Sequence, residues 1–300
     1  MTSGPRFGVF TFQVVPFADL VDDVLFAEDL GLDAVWLADQ AVPPQLPVME
    51  AWTTLAALAA RTSRIRVGTN VTNVAMRNPM ILARQALTVD RISDGRLDLG
   101  VGAGYFEGDH SSVGIDFLDG PGRIQRLAET VEILDHALRG DAVTYDGSHF
   151  TLRDAAAIPP PVQQPRAPLW IAGHAAASMR LAARLGDGAA SFGDHGLTIE
   201  ETLPKFRERM RRLDELCGEL GRDPATLRRS YLAGFANEAV FSSRDSMADF
   251  VGRFTEAGAT DFVFTFYNPV QPAMESGWRA GRYADRESLT MLLREVSPAV

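Results

Sequence analysis

Residues 95–109 read GRLDLGVGAGYFEGD. Leu97, Leu99 and Val101 give a short apolar strand, and the glycines at 102 and 104 carry it into polar, acidic chain. Parallel α/β barrels do their chemistry at strand ends that finish in this way. The stretch decides the fold through its position, because it is the fourth in a series of strand-then-helix units.

Upstream, RFGVFT (6–11) is a buried-type strand, and residues 18–32 have helical spacing with Leu20, Val24, Ala27 and Leu30 on one face. DAVWLAD (33–39) is the second strand and 49–62 its helix, and IRVGTN (65–70) is the third, followed by a helix from Pro79 to Ile92. Downstream, the fourth strand (96–104) leads to a helix at 122–140 closed by Gly140. Strands at 168–173, 188–193, 228–237 and 260–266 alternate with helices at 175–186, 199–220, 243–258 and 286–296. This alternation predicts an α/β fold, a (β/α)8 TIM barrel with right-handed crossovers. A doubly wound sheet competes, but the first strand-to-helix turn, TFQVVPF (11–17), lacks the glycine fingerprint of dinucleotide folds. Residues 1–300 read as one domain, with insertions or lids at 105–121, 141–167 and 267–285. In the second of these, TYDGSHFTL (144–152) spells a hairpin and AIPPPVQQPRAP (157–168) is too rich in proline for regular structure.

Composition narrows the function. Hydrophobic residues make up 46% and charged residues 23% of the 300, ordinary for a globular chain with a large core. A formal net charge of −10 argues against a nucleic-acid partner. The longest apolar runs, such as AALAA (56–60), are far too short to span a bilayer. MTSGPRFGVF (1–10) shows no basic region leading into an apolar core, so no signal peptide is expected. The lone Cys217 allows no internal disulfide and fits a reducing cytoplasm.

In a barrel the site residues stand where strands end. Asp39 follows the apolar run AVWLA and points to the barrel mouth, as a partner for a cofactor ring or substrate hydroxyl or as a structural hydrogen bond. WIAGHAAAS (170–178) places Gly173 and small residues between a strand end and a helix start, where free N–H groups and the helix dipole suit a phosphate. His174 is a candidate to add charge there. Asp109 with His110 is a weak metal pair, since no HExxH motif or repeated Cys/His spacing supports it; no metal site is expected. No GxSxG elbow occurs, which removes the commonest hydrolase reading.

Two segments, GTNVTNVAMRNPMILARQALTVDRISDGRLDLGVGAG (68–104) and PLWIAGHAAASMRLAARLGDG (168–188), carry a resemblance. In order and spacing, residues 6–266 resemble the bacterial luciferase-like family of flavin- and deazaflavin-dependent oxidoreductases. The resemblance implies FMN or coenzyme F420 across the C-terminal mouth. It puts Asp39 beside the ring and a non-proline cis peptide at Asn70-Val71 against the ring's rear face, with Thr72 next to it in the cofactor-binding set. Gly173, His174, Ala175 and Ala176 become the phosphate turn, and Gly104, Tyr105 and Glu107 line the ring and substrate side. Many F420-using dehydrogenases of this type carry Asp-His at the second strand's end, where this chain has Asp39-Gln40. Glutamine cannot act as a general base, so Gln40 is read as an orienting group, with Tyr105 and Glu107 as proton donors. Arg77, Arg84 and His174 are candidates for an anionic cofactor tail.

The leading expectation is F420-dependent hydride transfer with a small organic substrate. An FMN-dependent monooxygenase using O2 and a partner reductase is the alternative, and a non-catalytic flavin-binding protein is the third reading. The resemblance also implies a homodimer.

Overall fold

The computed structural model describes residues 4–41, 48–266 and 283–297. Its strands are β1 (Arg6–Thr11), β2 (Ala34–Leu37), β3 (Arg66–Asn73), β4 (Leu97–Gly102), β5 (Ala142–Asp146), β6 (Thr151–Ala156), β7 (Leu169–Ala172), β8 (Gly188–Phe192), β9 (Arg228–Ala233) and β10 (Asp261–Thr265). Eight of them close into a parallel barrel in the order β1-β10-β9-β8-β7-β4-β3-β2, and β5 and β6 form a separate antiparallel pair. This is the expected TIM barrel. Around it run α1 (Phe17–Leu30), α2 (Ala51–Arg61), α3 (Pro79–Ile92), α4 (Glu107–Ser111), α5 (Gly120–Ala137), α6 (Ala176–Leu185), α7 (Ile199–Glu219), α8 (Arg244–Glu256) and α9 (Arg286–Met291). No helix among the described residues is long and apolar enough to cross a membrane.

Local chemistry sets the boundaries. Asn78 caps α3 by accepting the Met80 N–H at 2.9 Å, and Pro79 takes the first helical position, where its missing N–H costs nothing. A reciprocal Thr198–Glu201 capping box starts α7. Asp119 accepts the Gly122 N–H at 2.8 Å, so α5 begins at Gly120, two residues before the expected start. The expected strand 228–237 ends at Ala233, because Gly234 turns the chain at φ +111° and donates its N–H to Glu238 Oε2 at 2.8 Å. The third strand runs past residue 70 to Asn73, with Thr72 in register with Val101 of β4. The closing helix is regular only to Met291, and Leu292–Val296 continues in wider turns.

Inside the barrel, Phe10, Trp36, Trp170, Leu232 and Val263 pack together, with the two indoles edge to face at 5.7 Å. At the N-terminal end, Arg66 pairs with Asp98 at 2.8 Å, Arg6 with Asp33 at 3.2 Å, and Arg228 with Asp261. Those pairs fill one end of the barrel and leave the strand C-termini as the open mouth.

The insertion at 141–167 is the expected hairpin. Glu129 of α5 accepts the N–H groups of Ser148, His149 and Phe150 at 2.9, 2.9 and 3.1 Å, which fixes the tip. The insertion at 105–121 contains α4, a helix not expected from the sequence. Of the third insertion, 267–282 lie outside the described residues. Ala284 returns to the barrel by donating its N–H to the Thr265 carbonyl at 2.9 Å.

Candidate active site

A cavity of about 1020 Å³ opens at the C-terminal mouth. Its walls come from the ends of β1, β2, β3, β4, β7, β8 and β9 and from α5 and α6. Apolar side chains at Phe10, Phe12, Phe192, Leu232 and Phe235 make one side.

Asp39 stands at the end of β2, 8% exposed. Both its oxygens face the Arg77 guanidinium, Oδ1 at 3.2 Å from Nη2 and Oδ2 paired with Nη1. Burial raises the Asp39 carboxyl above its ordinary value, and Arg77 and the Asn73 N–H oppose that shift. Gln40 lines the cavity beside it, as does Tyr105. Arg77, a candidate for the anionic tail, is therefore committed to Asp39, and to Glu50 at 3.2 Å.

The Asn70–Val71 peptide bond is cis, and both residues line the cavity. β4 passes close behind: a Cβ on Gly102 would stand 2.6 Å from Val71 Cγ2, so only glycine fits there. Thr72 does not reach the cavity. It is fully buried, accepting the Trp52 indole N–H at 3.2 Å and bonded to Thr69 at 2.8 Å, so its role is to hold β3 in place. Asn73 lines the cavity instead.

At the opposite side, Gly173 ends β7 at φ +150° and lines the cavity with His174, Ala175, Ala177 and Ser178. A Cβ on Gly173 would fall 2.6 Å from Ser178 Cβ. No side chain caps the N-terminus of α6, so its first N–H groups are available to an anion, as a phosphate site needs. Ala176 opens α6 but its side chain is exposed and off the cavity wall.

His174 does not supply the expected charge. Burial, then Arg209, pushes its imidazole down to about 4, with Asp194 at 3.7 Å opposing. At neutral pH it is uncharged, and its Nε2 accepts the Phe192 N–H at 3.4 Å. A histidine held neutral in the fold favours stability above its ordinary value of 6.5, and that contribution is lost as pH falls towards 4. His174→Gln is expected to flatten this part of the pH–stability curve, as thermal melts at several pH values between those limits will show; an unchanged slope refutes the assignment.

Glu107 is exposed at the start of α4 and absent from the cavity wall, so the structure does not bring it to the other candidates. Arg84 is exposed on α3, also away from the cavity. The cavity's own arginines are Arg123, Arg180 and Arg184, which the sequence reading passed over because nothing in the chain order marks them as neighbours. Arg180 pairs with Glu219 and Arg184 with Glu132, while Arg123 donates to the Leu118 carbonyl at 2.5 Å and lies over the Phe117 ring. Asp109 also lines the cavity, beyond the Tyr105 turn.

The profile of the luciferase-like monooxygenase family matches residues 5–257. The chain belongs to that family. Among curated proteins, it is 33% identical over 194 residues to an F420-dependent glucose-6-phosphate dehydrogenase of Microbacterium testaceum, a match covering 62% of this chain and 56% of that protein. Among solved structures, the coenzyme F420-dependent tetrahydromethanopterin reductase of Methanopyrus kandleri superposes with a TM-score of 0.79 at 16% identity, over 99% of both chains. An F420-dependent secondary alcohol dehydrogenase, solved with an F420-acetone adduct, gives 0.78 at 20% identity over 99% of both chains. These structural likenesses show the barrel fold over the length of the chain.

Proposed function

We propose that this luciferase-like chain is a coenzyme F420-dependent oxidoreductase that moves a hydride between the deazaflavin and a small, neutral organic substrate. The observation that carries the reading is the composition of one cavity, with a phosphate-sized cradle at Gly173–Ser178 and a wall of Asp39, the cis Asn70–Val71 pair and Gly102. A Cβ at Gly102 or Gly173 would intrude on this shape, which fits a planar ring on a phosphate-bearing chain. Arg123, which makes no ion pair among the described residues, and the paired Arg180 and Arg184 put positive charge at the α5/α6 side, which suits the long anionic tail of F420 better than the single phosphate of FMN. The F420-dependent relative points the same way.

When bound, F420 supplies a ring carbon that accepts or gives a hydride and passes electrons in pairs. The chain's own residues do the rest. The Gly173–Ser178 turn holds the phosphate by backbone N–H groups, and Asp39 offers hydrogen bonds towards the ring edge. Phe10, Phe12, Leu232 and Phe235 exclude water from the reacting face. Gln40 donates to, or accepts from, a substrate oxygen and fixes its direction. The apolar lining of this face favours an alcohol or carbonyl compound over a phosphorylated sugar. The reading includes a cytoplasmic homodimer: the buried thiol of Cys217 suits a reducing compartment, and Ile81 and Ile92 expose apolar surface on α3.

The family's description as a monooxygenase leaves a second reading, in which the chain would use FMN, oxygen and a partner reductase. Anaerobic mixing with F420 and a panel of secondary alcohols and ketones separates the two. We expect bleaching or recovery of the deazaflavin absorbance without oxygen; activity only with reduced FMN and oxygen would overturn the proposal.

A further inference from the structure

One buried polar pair stands directly behind the aromatic side of the cavity. Tyr231 of β9 points towards the helix layer, its ring clamped by Phe206 of α7 at 5.3 Å and by Phe254 and Phe250 of α8 at 4.4 and 5.7 Å. Its hydroxyl donates to Glu238 Oε1, and Glu238 Oε2 accepts the Gly234 N–H at 2.8 Å. Both side chains are fully buried. Burial, then the charge of Glu238, pushes the Tyr231 hydroxyl well above its ordinary value, so the phenol keeps its proton and donates it. A carboxylate at this depth is weak evidence for stability, since well-packed apolar side chains serve at least as well. What the pair fixes is geometry.

That geometry belongs to the cavity wall. Gly234 turns the chain at φ +111°, and Glu238 holds the turn from the far end of the loop. Asn237 ties the same loop to the one after β8, donating its N–H to the Leu197 carbonyl at 2.6 Å and its side-chain amide to the Gly196 carbonyl at 2.9 Å. Phe235 lies between these anchors and lines the cavity, 5.6 Å from Phe192 and 6.2 Å from Phe10. Phe192 is constrained by the same glutamate, because the next residue, Gly193, backs onto it: a Cβ there would stand 2.6 Å from Glu238 Oε1. Tyr231 and Glu238 thus join α7 and α8 to two rings of the wall.

We propose that Glu238, held by Tyr231, is a positioning residue that sets the Phe192–Phe235 wall and so selects for the apolar group a substrate carries beside its reacting carbon. Its part in turnover rests on the F420 reading above. Both polar side chains are behind the wall and act through the two rings. A ring held against an apolar group binds it equally before and in the transition state, so the effect falls on KM and leaves kcat and cofactor affinity in place. It grows with the apolar area the substrate lays on the rings.

The test compares wild type, Glu238→Gln and the double variant Tyr231→Phe/Glu238→Met, each also in a Phe235→Ala background. The double variant exchanges a buried polar pair for apolar groups of similar size, which a core tolerates, and releases the Gly234 turn. Labelling with para-fluorophenylalanine gives a fluorine NMR line for Phe235, identified by its loss in Phe235→Ala. Without cofactor, that line is expected to shift and broaden in the double variant and to return in Glu238→Gln, whose amide can serve both partners. With F420, KM for the bulkiest member of the alcohol and ketone panel is expected to rise about ten-fold in the double variant, and KM for the smallest by less than about two-fold. In the Phe235→Ala background the double variant is expected to add nothing to KM. Should the double variant not fold, Tyr231→Phe/Glu238→Gln, which keeps the Gly234 hydrogen bond and breaks the link to the helices, is read in its place with the same expectations. An unchanged Phe235 line overturns the proposal. So does a KM rise that is equal for small and large substrates and persists without Phe235, the mark of a merely structural pair. If F420 supports no turnover in wild type, the F420 reading fails and the fluorine line decides the positioning by itself, so the two failures are told apart.

Discussion

Replacing Arg77 by methionine is expected to destabilise the chain by about 3–5 kcal/mol, the usual cost of leaving a buried charge without its partner. Asp39 is 8% exposed and has Arg77 on both oxygens, and methionine offers it no donor. The defect has a pH signature. Burial already raises the Asp39 carboxyl and Arg77 holds the shift back, so removing the guanidinium lifts the folded-state value further. A raised acid contributes its stability below the unfolded-state value and loses it as pH rises through the folded one. Denaturant melts should therefore show a larger loss at about pH 8 than at about pH 5. Adding Asp39→Asn to the same chain should restore much of it, because the buried charge is gone. A pH-independent loss, or no rescue in the double variant, contradicts this account of the pair.

The second large effect is expected at the phosphate cradle. Gly173 lies at φ +150°, a conformation that residues with a Cβ rarely adopt, and an added Cβ would press on Ser178. Gly173→Ala must strain or shift the turn, at about 1–3 kcal/mol. That cost falls on the N–H groups that would face the phosphate, so F420 affinity should drop about ten- to a hundred-fold. Fluorescence titration of the two proteins measures it. Ser178→Ala alone, which leaves the backbone intact, should bind within a few-fold of wild type. Equal affinity for Gly173→Ala and wild type would remove the cofactor phosphate from this turn.

Periodicity made the barrel legible. Its strands carry buried-type apolar runs between glycine and acidic residues, and the helices between them have one apolar stripe each. Boundaries slipped where a side chain outside the local pattern decided them, as Glu238 does for the end of β9 and Asp119 for the start of α5. That Asp39, Gln40, Asn70, Val71, Gly104, Tyr105 and Gly173 would line one cavity was legible because strand ends converge on one mouth whatever the side chains. Arg77 was not readable as the partner of Asp39, since the pair is 38 residues apart in the chain. Glu107 and Asp109 show the limit most clearly. Both follow the same glycine turn, but the single turn of α4 exposes Glu107 and buries Asp109, and no apolar pattern of five residues is long enough to reveal which face turns inward.

Cofactor choice tests the central claim most directly. The purified chain, stripped of any bound flavin, is titrated separately with F420 and FMN, following fluorescence and retention through a desalting column. The account predicts micromolar affinity and retention for F420, with FMN washed away. Retention of FMN with no affinity for F420 would contradict it.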